Sequence, residues 1–318
     1  GLFYPFQHAV KKYAGLQYND FVKNAMQFYK EHSDLSSNTS FITEGNDKYV
    51  SDYVLPYFEG EDSILVLKKT YRNNPAWYRV TKNGEEKIRV KDISRDDYYA
   101  YRKGKIIYTA YQPDTRRGQR DYSVIKVLDA ATKQVKQLTH RSKYFQPDFS
   151  QDGSTIIAVQ FAPDQKSELH VLDAGTGLVL KVVPQKTVQF VYTYPKFYDQ
   201  NHVISCIRNE QGLMTLAMIS LQTGETDNLL PWSYEIKGFP VLKGDTVYFS
   251  AGSGYQDDIF AVDIKTRNLF KLTNEPLGAY QPAINNTGKL VWSSFTAAGL
   301  QLKEKQLKAE DWQPLMNT

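Results

Sequence analysis

The chain of 318 residues has one cysteine, five histidines and almost no charge imbalance: 39 Lys and Arg face 35 Asp and Glu, a formal net charge of +4. A single thiol excludes an internal disulfide. Cys206 sits in the apolar run Val203 to Arg208, where it reads as a small buried hydrophobe rather than a nucleophile. So small a net charge on this length gives no case for a nucleic-acid binder. No apolar run approaches the roughly 18 residues of a membrane-spanning helix, so no span is expected in this chain. Signatures of catalysis are also missing: there is no His-Glu-x-x-His, no Gly-x-Ser-x-Gly, no Walker-type phosphate loop and no Cys-x-x-Cys. Gly252-Ser253-Gly254 is a lone glycine-rich loop between strands, and no helix follows it to support phosphate binding. The start, Gly1-Leu2-Phe3-Tyr4-Pro5, carries neither an initiator Met nor a signal peptide, and reads as a processed chain or a segment of something longer.

What is abundant is aromatic residues, 14% with 23 Tyr, in a chain that is 41% hydrophobic. That composition supports a sizeable core built from strands whose tyrosine rings pack while their hydroxyls reach water or a channel. Tyr144 to Val183 shows the unit: strand, Gln151-Asp152-Gly153 turn, the β-branched strand Thr155 to Phe161, a polar loop, the strand Leu169 to Leu172, a Gly-containing turn and a fourth strand. One such meander cannot bury both of its faces and needs copies of itself. Copies of its first hairpin lie at Asp97 to Ala110, Tyr194 to Ile207, Phe239 to Ser250 and Gln281 to Ser294. Their turns, at Gly104, Gly153, Asn201, Gly244 and Gly288, stand 49, 48, 43 and 44 residues apart. A second landmark keeps the same period at Val127 to Lys133, Val171 to Gly177, Ile219 to Glu225 and Val262 to Asn268. Tyr53 to Lys91 supplies a sixth, weaker copy. Four strands per period in the forties, six times, specify an all-β fold: a six-bladed β-propeller of four-stranded antiparallel blades.

Lys136-Gln137-Leu138-Thr139 followed by Gln146-Pro147-Asp148-Phe149-Ser150-Gln151-Asp152-Gly153 resembles the repeat of TolB-type six-bladed propellers, a family also found beside tricorn and prolyl-oligopeptidase-type proteases. Phe270-Lys271-Leu272-Thr273 with Tyr280-Gln281-Pro282 repeats the pattern. Blade two lacks the proline and blade four has Gln-Asn in place of Asp-Gly. There is no His and Trp-Asp signature of the WD-repeat class.

Ahead of the propeller, expected over 45–318, residues 1–36 form a helical segment. Pro5 to Tyr13 and Tyr18 to His32 have apolar residues at helical spacing, Gly15 separates them and Asn19 can cap the second. Their apolar faces imply docking, either as a cap shielding an edge or as a partner-binding hairpin. Asp34 to Thr43 reads as a linker. Ring closure falls either to Trp312-Gln313-Pro314-Leu315 or to a strand near Thr39 to Glu44, since an open ring would leave a long unpaired edge.

The resemblance implies that each blade's first strand lines a central channel, and that the connections between blades share a face with the loops joining second and third strands. On that face would lie His140, Arg141, Lys143, Tyr144, Gln146, Tyr192, Tyr194, Tyr280 and Gln281. Also there would be the loop Gln112 to Tyr122 with Arg116, Arg117 and Arg120, suited to a phosphate, a carboxylated sugar or an acidic protein surface, or else simply solvated. These groups read either as a pocket for a small ligand or peptide end, or as the walls of a water-filled channel. His140, His170 and His202 fall at different places in the repeat and are not expected to converge on a metal. The acidic turns at Glu59, Glu61 and Asp62, and at Asp257 and Asp258, suit calcium less well than plain solvation. The expectation is a non-catalytic, monomeric propeller module without cofactor or metal. It would bind a protein, peptide or glycan through one face and the channel, within a larger periplasmic or extracellular protein. The alternatives are the gating propeller of a serine peptidase, a metal-dependent propeller lyase, or a scaffold whose aromatic rim mediates assembly.

Overall fold

In the computed structural model, residues 4–32, 39–46, 48–162, 166–185, 190–254 and 256–315 are described. The chain starts with α1 (Pro5–Ala14) and α2 (Tyr18–His32), then β1 (Ser40–Phe41). Blade one is β2 (Ser51–Phe58), β3 (Ile64–Thr70), β4 (Ala76–Thr81) and β5 (Gly84–Val90), and blade two is β6 (Tyr99–Arg102), β7 (Lys105–Pro113), β8 (Asp121–Asp129) and β9 (Val135–Gln137). Blade three is β10 (Tyr144–Phe149), β11 (Thr155–Phe161), β12 (Ser167–Asp173) and β13 (Val179–Val182), and blade four is β14 (Val191–Phe197), β15 (His202–Arg208), β16 (Met214–Ser220) and β17 (Thr226–Asn228). Blade five is β18 (Lys237–Lys243), β19 (Thr246–Ser253), β20 (Gln256–Asp263) and β21 (Leu269–Lys271). Blade six takes β22 (Ala279–Ile284), β23 (Lys289–Thr296) and β24 (Gly299–Gln306), with β1 as its fourth strand. All six sheets are antiparallel, and inner strands pack on inner strands around a six-bladed propeller.

The second strand of each blade has a sheet neighbour on both sides and another blade against each face, which is why it is written as a continuous apolar run. Ile156, Ile157, Ala158 and Val159 of β11 are all essentially inaccessible, as are Leu65, Val66 and Leu67 of β3. Each such aliphatic side chain contributes about 1.5–3 kcal/mol by leaving water. Fourth strands face solvent and are polar or short, as in the Glu85, Glu86 and Lys87 run of β5. Clusters of apolar side chains cross from blade to blade: Leu65 and Trp77 of blade one pack with Tyr99, Tyr108 and Val124 of blade two. The hairpin glycine at position 153 adopts φ 82°, as the turn requires. Where blade four lacks that glycine, the Asp199 carboxylate accepts the Asn201 and His202 backbone N–H groups and shapes the turn instead.

Five of the six innermost strands share a device. Leu55, Gln146, Tyr194, Phe239 and Gln281 each precede a proline, each has φ between 50° and 57°, and at each the pairing with the second strand slips by a bulge. Proline removes a ladder donor and pushes its predecessor out of the right-handed helical region. The bulge absorbs both effects. Blade two, without the proline, pairs β6 to β7 in unbroken register.

Closure comes from the N-terminal side. β1 pairs with β24, the Ile42 N–H donates to the Leu302 carbonyl at 2.8 Å, and the Thr43 hydroxyl donates to Gln301 Oε1 at 3.0 Å. The ring therefore takes in residues ahead of 45, and part of the stretch expected to be a linker is a strand; residues 33–38 lie outside those described. Trp312 to Leu315 does not close the ring. It lies along blade five, with the Trp312 ring 5.2 Å from Phe270 and 6.2 Å from Tyr248, and the Leu315 N–H bonded to the Leu269 carbonyl.

The helices also depart from expectation. Asn19 lies inside α2 rather than capping it. Neither helix packs broadly on a strand; they pack on each other, with Phe6 against Tyr18 at 5.8 Å. Val10 is the one buried residue of α1, and Phe6, Tyr13, Met26 and Tyr29 are exposed, so the hairpin does not cap an edge. Among the described residues no helix is long and apolar enough to cross a membrane.

Candidate functional site

Antiparallel meanders give the ring two unlike faces. One, the hairpin face, carries the first-to-second and third-to-fourth strand turns. The other, the connection face, carries the second-to-third loops and the crossings from blade to blade. The cationic residues singled out in the sequence come to the connection face between blades two and three. Asp114 organises the arginine loop: its Oδ1 accepts the Arg116 and Arg117 backbone N–H groups at 2.8 and 3.1 Å, and its Oδ2 accepts the Tyr122 hydroxyl at 3.0 Å. The Arg116 N–H, followed by Tyr122 and the Arg120 charge, holds the Asp114 carboxyl below the usual carboxylate range. The loop closes through Asp114 N–H to Arg120 carbonyl at 3.0 Å, and the Arg120 guanidinium lies 5.4 Å from the Tyr122 ring. Arg116 and Arg117 therefore spend their backbone donors on the loop and leave their guanidinium groups in solvent.

Beside this loop runs the crossing from blade two to blade three, with His140, Arg141 and Lys143 all exposed. Ser123 ties the crossing down, its N–H bonded to the Ser142 carbonyl and its hydroxyl to the Tyr144 carbonyl at 2.6 Å. Between loop and crossing opens a cleft lined by Arg95, Asp121, Tyr122, Ser123, Lys143, Phe145 and Phe161. Phe145 and Phe161 meet edge to face at 5.4 Å. Arg95 pairs with Asp121 and lowers that carboxyl's pKa. Arg116, Arg117, Arg141 and Lys143 have no ion-pair partner among the described residues. Sequence reasoning missed Arg95, Phe145 and Phe161.

The remaining residues of the expected site do not join them. Tyr144 turns into the core between blades two and three, its hydroxyl 3.0 Å from His170 Nδ1, and burial pushes its pKa up to about 12. Tyr192 is buried between blades three and four. Gln146 and Gln281 spend their side-chain oxygens on the bulges of the next blade, accepting the Tyr194 and Leu55 N–H groups at 2.8 Å each. The Tyr194 ring lies tilted against Phe239 at 4.5 Å and against Tyr98 at 5.4 Å. Tyr280 is half-buried, its pKa raised to about 12 by burial and by Asp257.

Nor is the hub an open channel. The Lys196 ammonium of blade four pairs with Asp148 of blade three and donates to the Tyr57 hydroxyl of blade one, on the opposite side of the ring. The Tyr57 and Tyr98 rings lie 5.7 and 5.3 Å from the same ammonium. The space beside it, lined by Tyr57, Tyr98, Lys196, Phe239 and the bulge prolines, has a volume of about 10 Å³, room for about one water molecule. A signal for this plug was present in the sequence: the residue after the repeat's Gln-Pro or Tyr-Pro is Asp148 in one blade and Lys196 in the next.

Other chemistry-bearing groups stay apart. His140 contacts Gln137, His170 lies between Tyr144 and Glu168, and His202 contacts Asp199 on the hairpin face. Cys206 is fully buried, and burial pushes its thiol up to about 12. Among the described residues no three His, Cys, Asp or Glu side chains gather as a metal site.

No protein-family model and no curated protein matches the sequence. Solved structures do match in shape. A puromycin-hydrolysing peptidase from Mycobacterium tuberculosis superposes over 90% of this chain and 56% of its own, with a TM-score of 0.58 and 14% identity. A TolB-type protein from Agrobacterium tumefaciens superposes over 72% of this chain and 86% of its own, with a TM-score of 0.52 and 13% identity. For an oligogalacturonate lyase in complex with manganese, the figures are 88%, 97%, 0.52 and 12%. At such identities the likeness is one of fold: the six-bladed propeller that the sequence repeat resembles is shared with TolB, with peptidases and with a lyase. The chain spans about half the length of the puromycin-hydrolysing peptidases it matches.

Proposed function

We propose that this chain is a non-catalytic propeller module that captures a protein, peptide or glycan through its connection face. Its cationic loop and crossing would hold the ligand's carboxylate or other anionic group. One observation carries the reading: Arg116, Arg117 and Arg141 stand exposed, without an ion-pair partner among the described residues, on the loop and the crossing that flank a cleft lined by Lys143, Phe145 and Phe161. Guanidinium groups suit paired oxygen acceptors, and the aromatic floor accepts an apolar body. Because Lys196, Asp148 and Tyr57 occupy the axis, this reading puts the site in the sector of blades two and three. By analogy with the TolB-type neighbour, the module would work in the periplasm or outside the cell, as part of a larger protein; fractionation of the native protein tests that address.

The test uses a poly-glutamate peptide and an oligogalacturonate as probes at low salt. Wild type should bind at least one, and replacing both Arg116 and Arg117 by Ala, or Lys143 by Ala, should weaken it about tenfold or more without lowering the melting temperature. Unchanged affinity in both variants overturns the assignment. A second reading, the accessory propeller of a peptidase, is favoured by the half-length match to the puromycin-hydrolysing enzymes. An α/β hydrolase domain in the same reading frame would support it. The manganese lyase gives less support, because His140, His170 and His202 are dispersed over separate elements and no donor set gathers among the described residues.

A further inference from the structure

Four pairs of adjacent basic residues occur in the sequence: Lys11-Lys12, Lys68-Lys69, Arg102-Lys103 and Arg116-Arg117. An endopeptidase that reads such pairs must draw the backbone on either side of the cut into its own cleft, so it attacks exposed loops rather than regular elements. The fold withholds three of the pairs. Lys11-Lys12 lies in the last turn of α1, Lys68-Lys69 lies in β3 between β2 and β4, and Arg102-Lys103 enters the tight β6 to β7 turn, where Arg102 pairs with Lys105. Arg116-Arg117 alone stands in a loop outside the sheets. The last β7 to β8 pair is Pro113 with Asp121, and Thr115 to Arg120 are all exposed. Gly118, the next residue, has open space where a side chain would stand.

We propose that the bond between Arg117 and Gly118 is a processing site for an endopeptidase that recognises paired basic residues, and that cutting it switches off anion capture at the loop. Hydrolysis adds water across that one amide and leaves a carboxylate on Arg117 and an ammonium on Gly118. The ring survives the cut, because residues 105–113 and 121–129 stay paired at nine positions and the N-terminal piece is held a second time where β1 pairs with β24. The loop loses its closure. The Asp114 N–H bond to the Arg120 carbonyl and the Arg120 N–H bond to the Arg117 carbonyl both span the cut, and the new carboxylate stands beside Arg116 and Arg117 as a counter-charge. Asp114 guards the bond: its Oδ1 holds the Arg116 and Arg117 N–H groups, which the loop must release before a protease can extend it. The switch rests on the proposed function; the cleavage site does not.

The test exposes the folded protein, and a heat-unfolded control, to an endopeptidase specific for paired basic residues, with the new termini identified by mass. The folded chain should be cut first after Arg117, while the control is cut at all four pairs. Pieces 1–117 and 118–318 should elute together without denaturant. Asp114→Ala should speed the cut about fivefold or more, because fewer bonds then hold the loop closed, and Arg116→Ala should abolish it. A first cut at another pair, or a folded chain that resists where the control is cut after Arg117, overturns the site. Pieces that separate overturn the survival of the ring, and an Asp114→Ala rate equal to wild type overturns the guard. Binding of the poly-glutamate peptide then reads the switch: the cut protein should bind about tenfold or more weakly than the uncut, and equal affinity overturns the switch while the cleavage site stands. Uncut protein that binds neither that peptide nor oligogalacturonate, yet is cut after Arg117, sinks the capture function and the switch with it, and leaves the cleavage site supported.

Discussion

Lys196 Nζ lies 3.4 Å from Asp148 Oδ1 across the boundary between blades three and four, with both side chains only 8% exposed. Burial by itself would lower the lysine pKa, but the Asp148 charge and the Tyr57 hydroxyl outweigh it and hold the ammonium above its usual value. With the Tyr57 hydroxyl the pair joins three blades at the axis, where the sequence left open a ligand pocket or a water-filled channel.

Breaking that pair on one side should be costly. Lys196→Met leaves the Asp148 carboxylate buried without a counter-charge, an expected loss of about 3–5 kcal/mol. The double replacement Lys196→Met with Asp148→Leu removes both charges and should recover most of it. Urea unfolding midpoints of the three variants check this; a single variant as stable as wild type would show that the axis is wetter than its geometry implies.

Asp96 gives a dependence on pH. Its Oδ1 accepts the Thr109 hydroxyl at 3.2 Å, while Oδ2 is buried without a partner. Burial pushes its pKa up to about 6 against the opposing pull of Lys91 and Thr109. The folded chain then holds a proton between about pH 4 and 6 that the unfolded chain has released, so this group's contribution falls as pH rises through that window. The loss amounts to roughly 3 kcal/mol at most. Asp96→Asn should flatten the difference; identical pH profiles of the two proteins would refute the assignment.

The repeat made blade number, strand order and turn glycines legible, because each depends on local periodicity and on residues whose backbone needs are strict. What stayed hidden depended on contacts between distant copies. Gln146 and Gln281 looked like channel ligands, yet each is consumed by a bulge N–H one blade away, a partner set by ring geometry. Tyr144 and Tyr192 have the same composition signature as surface tyrosines, and only the packing of neighbouring blades buries them. Arg116 and Arg117 were legible as exposed because Asp114 two and three residues away fixes their loop locally. Closure was left open between the two termini, since a two-residue strand carries too little pattern to choose.

Not every left-handed glycine is equally replaceable. Gly153, at φ 82°, has open space where a Cβ would stand, so Gly153→Ala should cost about 1–2 kcal/mol from backbone conformation alone. At Gly177 and Gly224, with φ 77° and 70°, a Cβ would collide with the carbonyls of Leu138 and Pro184. Those two replacements should cost distinctly more than the first, because backbone of the preceding blade must move. Thermal melts of the three single variants test the ranking, and equal losses would mean that the third-to-fourth strand turns can slide away from the neighbouring blade.

Truncation separates the helices from the clasp. A chain beginning at Thr39 loses α1 and α2 but keeps β1, and because those helices bury little on the strands its melting temperature should match that of the whole chain. A chain beginning at Asn46 also loses β1, the Ile42 N–H bond to Leu302 and the Thr43 hydroxyl, which both donates to Gln301 and accepts the Leu302 N–H at 2.9 Å. Blade six is then left with three strands and the β24 edge bare. Trp312 to Leu315 cannot take the place of β1, since Pro314 already bridges to Phe270 of blade five. Several hydrogen bonds at about 1 kcal/mol each, together with an unpaired edge, should give a lower melting point and concentration-dependent aggregation. If the shorter chain melts with the longer one, the N-terminal strand is a decoration on the ring and closure lies elsewhere.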